Sequence, residues 1–201
     1  RVGYWGPPLS GVDYATFALA QTASANGDTI YMFRGNYSII SVTKQLTIIG
    51  TGYLLDSLLT GASKGNSFQQ TFKTPSNGFI IFDNGSDNSK IYGMEGNIQI
   101  GVNASSNLSN IEIHRCYITS SFSFNGTTLN TKVYNCLFGN SVSISNNGAA
   151  TSTNLHIYNC ISLSVSDILS WSGNNLTGEL VNSTCGGLNV NNASTMVVYN
   201  N

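Results

Sequence analysis

Lys90, Glu112, Lys132, His156 and Glu179 each stand one residue before an apolar marker in a recurring phrase, and Tyr92, His114, Tyr134 and Tyr158 stand one residue after it. A carboxylate near a lysine or an imidazole supplies the proton donors and acceptors of general acid and base catalysis. A row of aromatic rings offers flat apolar faces of the kind that stack on sugars. Together these side chains are the candidates for a ligand site or a lateral interface, and the chemistry they would suit is that of a polysaccharide lyase or hydrolase, or of a glycan-binding adhesin. The same groups can also satisfy one another. Cross-strand aromatic and opposite-charge neighbours stabilise a sheet by about 0.2 to 1 kcal/mol each, and that structural role is the expectation; no catalytic residue is assigned.

The elements that must position these groups follow from the spacing of the markers. Ile91, Ile113, Val133, Ile157, Leu180 and Val198 are separated by 22, 20, 24, 23 and 18 residues, a period that signals a solenoid. Within each unit the alternation is period two, as in "SFSFNG" and "SVSISNN", which is the pattern of strands. The fold class expected is therefore all-β, a parallel β-helix in which stacked coils align equivalent residues in columns about 4.8 Å apart.

Each column then has its own chemistry. The markers should point inward, as should Met94, Cys116, Cys136, Cys160 and Ser183 after a turn at Gly93, Arg115, Asn135, Asn159, Asn182 and Asn200. Asparagine tolerates the left-handed backbone of such a turn, and stacked amides can bond one another. The three aligned cysteines are expected as a buried ladder of thiols rather than as disulfides, and zinc is not expected, since no C-x-x-C pair occurs. A second outward set comprises Ser121 and Ser123, then Ser141, Ser143 and Ser145, then Ser162, Ser164 and Ser166, then Asn189 and Asn191.

Residues 12 to 52 add a further signal: an amphipathic segment with Asp13 as its possible N-cap, then "GDTI" at Gly27 to Ile30, a G-x-Y turn at Gly35 to Tyr37, and K-x-L-T-I-x-G at Lys44 to Gly50. This order resembles the opening of right-handed parallel β-helix proteins of the pectate-lyase-like superfamily. The resemblance implies a right-handed solenoid with a short N-terminal capping α-helix. Length, repeat and resemblance together give one domain over residues 1–201, with a cap region at 10–24, an irregular insertion at 53–78 and regular coils over 91–201. Lyases of that superfamily use a calcium site of several acidic residues with an Arg or Lys base, and related hydrolases cluster aspartates on adjacent coils. Asp13, Asp28, Asp56, Asp83, Asp87 and Asp167 do not recur at coil spacing. "DNGSDN" at 83 to 88 is expected as a polar turn, so no metal and no cofactor is expected.

Composition narrows the partners. Only 8% of residues are charged and the formal net charge is −1, against about 25% charged residues in an ordinary domain. Nothing here attracts nucleic acid electrostatically, and no apolar run is long enough to insert in a membrane. Abundant Ser, Thr and Asn, with N-x-[ST] triplets at Asn36, Asn84, Asn103, Asn107, Asn125, Asn175, Asn182 and Asn192, suit an extracellular, secreted or cell-surface protein. The last strand, Met196, Val197, Val198, Tyr199, Asn200 and Asn201, reads as an edge able to pair with another chain. The function expected is a secreted, non-enzymatic subunit that self-assembles into a filament, sheath or surface scaffold.

Overall fold

A computed structural model describes residues 2–5, 14–32, 37, 39–50, 78–139, 143–146, 151–162, 168–172, 175–190 and 195–199. Its elements begin with β1 (Val2–Trp5), α1 (Phe17–Ala23), β2 (Thr29–Met32), β3 (Ile39–Val42), β4 (Thr47–Ile49) and β5 (Phe79–Phe82). There follow β6 (Lys90–Tyr92), β7 (Glu95–Ile100), β8 (Asn107–Ser109), β9 (Glu112–His114), β10 (Tyr117–Phe124), β11 (Thr127–Leu129), β12 (Lys132–Tyr134) and β13 (Leu137–Phe138). The chain continues through β14 (Ser143–Asn146), β15 (Ser152–Tyr158), β16 (Ile161–Ser162), β17 (Ile168–Ser172), β18 (Leu176–Val181), β19 (Gly187–Val190) and β20 (Thr195–Tyr199). All pairings are parallel, which makes the chain a β-solenoid.

Two sheets form its principal faces. The first runs β1, β2, β4, β6, β9, β12, β15, β18, β20, and the second runs β3, β5, β7, β10, β14, β17, β19. A short third face joins β8 and β11 to Ser152 and Thr153 of β15, before that strand bends at Asn154 and joins the first sheet. The register matches the columns read from sequence: Ile91, Ile113, Val133, Ile157 and Leu180 pair in succession and all are buried. That column extends toward the N-terminus through Ile48 and Ile30, so stacking begins well before residue 91. Ile48 and Ile91 are neighbours although 43 positions separate them. The irregular insertion expected at 53–78 lies outside the described residues apart from Gly78.

The second sheet contributes Ile40, Ile80, Ile98, Phe122 and Ile144 to the same core, with Val42, Phe82, Ile100 and Phe124 two residues further on. Two corners return the chain, and each is made by residues with left-handed φ. One holds Gly93, Arg115, Asn135, Asn159 and Asn182 at φ 49° to 64°. The other holds Asn88, Asn110, Asn130, Asn154 and Asn175 at 56° to 60°. Asparagine fits because its short polar side chain lowers the cost of that region, which other residues enter only with strain.

The helix is shorter than the apolar pattern over 14–23, and its N-cap is Thr16, whose hydroxyl accepts from Leu19 N at 3.2 Å. Asp13 lies outside the described residues. Phe17 and Ala20 turn into the core. Lys44 Nζ donates to the carbonyls of Gln21, Thr22 and Ser24 at 2.8, 3.1 and 2.7 Å, closing the helix C-terminus, where a cation also meets the negative end of the helix dipole. The Gln21 side chain donates to Ser41 O at 3.2 Å and accepts from Thr43 N at 2.9 Å. α1 thereby satisfies the free edge of the second sheet beside β3, a way of covering an edge strand. The first sheet is treated differently, for β1 adds one further parallel strand beside β2, pairing Val2 with Thr29 and Trp5 with Met32.

Candidate functional site

Period two sets the sides of β6, β9, β12, β15 and β18: the marker is inward, so the residues flanking it face out. Lys90, Glu112, Lys132, His156 and Glu179 stand in register as one outward column, and Tyr92, His114, Tyr134, Tyr158 and Val181 as the next. The site expected from sequence is thus assembled on one face. What it does there is set by who bonds whom.

Glu112 collects two partners, Lys90 Nζ at 3.0 Å and His114 Nε2 at 3.2 Å. Burial pushes the Glu112 carboxyl up, but the hydrogen bonds from Lys90 and His114 outweigh it and hold the group below the ordinary carboxylate range; the same contact raises Lys90. Glu179 is bonded by the Tyr158 hydroxyl and by His156 Nδ1, the latter at 2.7 Å, and both hold its carboxyl low. The bond to Glu179 pushes the Tyr158 phenol up to about 12. The Lys132 side chain stands in the column between these clusters with no hydrogen bond or ion pair among the described residues.

The rings occupy one another. Tyr92 and His114 stack at 4.7 Å between centroids, His114 and Tyr134 at 4.9 Å, and Tyr134 and Tyr158 at 5.2 Å. His156 lies nearly parallel to Tyr158 at 5.8 Å. The coil repeat of about 4.8 Å is close to a stacking distance, so the faces of the inner rings are covered and their edges meet solvent. Glu112 and Glu179 are three coil steps apart, roughly 14 Å at that repeat. Paired carboxylates of glycoside hydrolases stand about 5 to 9.5 Å apart.

The thiols form a ladder. Cys116, Cys136 and Cys160 are buried and free. Cys116 N donates to Cys136 Sγ at 3.4 Å, Cys136 N to Cys160 Sγ at 3.4 Å, and Cys160 N to Ser183 Oγ at 3.1 Å. Each Sγ in turn donates to the carbonyl two residues earlier, on His114, Tyr134 or Tyr158, as Ser183 Oγ does to Val181 O. These sulfurs are therefore more than apolar filler, because they accept from buried N–H groups that no strand partner meets. Burial raises the Cys136 thiol.

Three expectations need amendment. Val198 is in register with Leu180 but is 46% exposed, because no strand beyond β20 stacks on it among the described residues. Asn200 and Asn201 lie outside the described residues. In backbone register Ser121 is followed by Ser143, Ser170 and Asn189, with Ser172 beside Ser145, and Ser162 instead pairs with Phe138. Ser164, Ser166, Ser141 and Asn191 are outside the described residues, and Ser123 is buried.

The second asparagine corner was missed in the sequence. Asn110 Nδ2 donates to Asn88 Oδ1 at 2.9 Å, Asn130 Nδ2 to Asn110 Oδ1 at 3.2 Å, and Asn154 Nδ2 to Asn130 Oδ1 at 3.0 Å. Its signal was an Asn recurring two residues before Lys90, Glu112, Lys132 and His156, and four before Glu179. "DNGSDN" is a turn whose acceptors serve the next coil: Asp87 Oδ1 accepts from Ser109 N and Oγ at 2.7 and 2.9 Å, and Asn84 Oδ1 from Asn107 N at 3.0 Å. Among the described residues no group of three His, Cys, Asp or Glu could hold a metal ion, and no helix is long and apolar enough to cross a membrane. Comparison with protein-family models, curated proteins and solved structures returns no match, so the superfamily resemblance of residues 12 to 52 stands on its motifs alone.

Proposed function

We propose that this protein is an extracellular, non-enzymatic β-solenoid subunit that self-associates into a surface scaffold, sheath or filament. The observation that carries the proposal is the last described coil, where Leu188, Val190, Val197, Val198 and Tyr199 are all more than a third exposed. Val190 and Val198 continue the columns of the buried Ile144 and Leu180, and no strand among the described residues stacks on them. Apolar surface of this kind, flanked by strand edges that no strand among the described residues pairs, is what a further β-layer covers. The mutual bonding of the Glu112 and Glu179 clusters and the covered ring faces supports the non-enzymatic part. A right-handed winding within the pectate-lyase-like superfamily is part of the same proposal, in keeping with the strong right-handed preference of parallel crossovers.

Negative-stain microscopy and sedimentation of the purified chain test the proposal across concentration and salt. Assemblies larger than one chain are expected, and monodisperse monomers under every condition would refute it. Lys132 favours a second role, because an ammonium with no ion-pair partner among the described residues, beside the Tyr134 edge, suits an acidic glycan. Retention on a glycan array that disappears in both Lys132→Ala and Tyr134→Ala would support that role, and a blank array would remove it.

A further inference from the structure

We infer that two copies of this chain meet side by side through the outward face of β12, β15 and β18, about a two-fold axis through His156 and normal to the first sheet, with Lys132 of each copy bonded to Glu179 of the other. The inference rests on the self-association proposed above and adds a lateral contact to it. The contact occupies a side face, so it leaves growth along the coil axis free and makes the assembly two solenoids wide. Three observations carry it.

The first is the charge left over once the internal pairs are formed. Lys90 and Glu112 neutralise each other at 3.0 Å. Further along the column, the Lys132 side chain has no hydrogen bond or ion pair among the described residues. Glu179 is bonded by the Tyr158 hydroxyl and by His156 Nδ1, and both bonds fall on Oε1, so Oε2 accepts nothing from the described residues. The face thus presents a cation and an anion one coil step to either side of His156, about 9.6 Å apart at the coil repeat.

The second is that this arrangement selects one way of pairing. A two-fold axis through the His156 coil exchanges the coils on its two sides, so Lys132 meets Glu179 twice over and His156 meets its own copy on the axis. An axis through the coil of Lys132 or of Glu179 sets like charge against like, and so does a contact in which equal coils face each other; juxtapositions of that kind exclude a wrong register. Residues 130–134, 154–158 and 177–181 contain no other Asp, Glu, Lys, Arg or His, so no further charge opposes the match.

The third is what flanks the column. The rotation exchanges its two sides and lays the outward edges of Tyr134 and Tyr158 over the corner that holds Asn130 and Asn154 in the second copy. Those rings stack on each other, so an edge is what they offer, and a side-chain amide both donates to and accepts from a phenol. A single exposed ion pair contributes little, but chains stacked along the coil axis present the contact repeatedly, and repeated weak contacts on one scaffold reinforce one another.

The test is zero-length carbodiimide cross-linking of an equal mixture of unlabelled and heavy-isotope-labelled chains, with the linked peptides read by mass spectrometry. A Lys132–Glu179 link that joins one light and one heavy chain is expected, and it should fade at about 1 M salt, where the Debye length falls to about 3 Å. Sedimentation supplies the second readout. Lys132→Glu alone and Glu179→Lys alone should each shift the midpoint of association upward roughly tenfold or more, because like charges then face each other. An equal mixture of the two variants restores both pairs and should return the midpoint to within about threefold of wild type. Lys132→Glu breaks no side-chain bond within the described residues, so it reads the contact even where Glu179→Lys weakens the fold. Larger species with no mixed link and no response to Lys132→Glu overturn the lateral contact while self-association survives. Linked pairs that never grow overturn the scaffold while the lateral contact stands, and monomers at every concentration overturn both.

Discussion

Cys136 accepts a hydrogen bond from the N–H of Cys116 through sulfur, and Ser183 does the same for Cys160 through oxygen. The column therefore needs an acceptor on Cβ more than it needs a thiol. Cys136→Ala should cost about 1 to 3 kcal/mol, because Cys116 N–H is left buried and unbonded, whereas Cys136→Ser should retain most of the stability; urea denaturation of the two variants measures the difference. An equal loss in both would show that sulfur volume, not acceptance, is what matters. The carboxylates set a second expectation. Glu112 and Glu179 have folded-state pKa values below the ordinary range, so their contribution is present above the unfolded value of about 4.3 and is lost as pH falls through the folded-state values. The urea midpoint should decline through that acidic window, and the decline should be shallower in Glu112→Gln with Glu179→Gln. At this scale the sequence showed which residues of the repeated phrase align, because membership of those columns needs only the period, while the serine columns outside it were misaligned. It did not show who bonds whom: Lys132 has the same register as Lys90, yet only Lys90 reaches Glu112.

Corners and caps decide the elements. Asn130 has φ 57° and both donates to Asn110 and accepts from Asn154. Asn130→Gly keeps the backbone but loses two amide bonds, and Asn130→Ala loses the bonds and adds left-handed strain of about 1 kcal/mol. The expected order of melting temperature is wild type, then Gly, then Ala; a Gly variant as stable as wild type would reduce the ladder to a conformational device. The corner at Asn135 was legible because it lies inside the repeated phrase. The one at Asn130 was hidden in loops of variable sequence, where "SNIEIH", "LNTKVY" and "TNLHIY" share only the amide. The helix was legible in place but not in extent, since Thr16 competes with Asp13 as N-cap and apolar alternation does not separate them. The resemblance motif gains a physical meaning: the lysine of K-x-L-T-I-x-G is the one that closes α1.

For the molecule as a whole, stability is a sum over neighbouring coils. Most pairings link residues about twenty positions apart, as Ile113 with Val133 or Val133 with Ile157. The period made the stacked architecture readable from sequence, and the segment after Asp13 was readable as a capping helix; how that cap closes the second sheet was not, because a single glutamine side chain bonds a strand 20 residues away. Gln21 gives the solenoid a direction in which it comes apart. Thermal fraying starts where backbone groups have one neighbour rather than two, and the bonds from Gln21 to Ser41 and Thr43 remove that weakness at the N-terminal end of the second sheet. Amide hydrogen exchange on dilute protein should then be fastest in β19 and β20, slower in β17 and β18, and slowest near Ile91 and Ile113. Gln21→Ala should open a second front at β3, and raising the protein concentration should slow the first front and leave the second untouched.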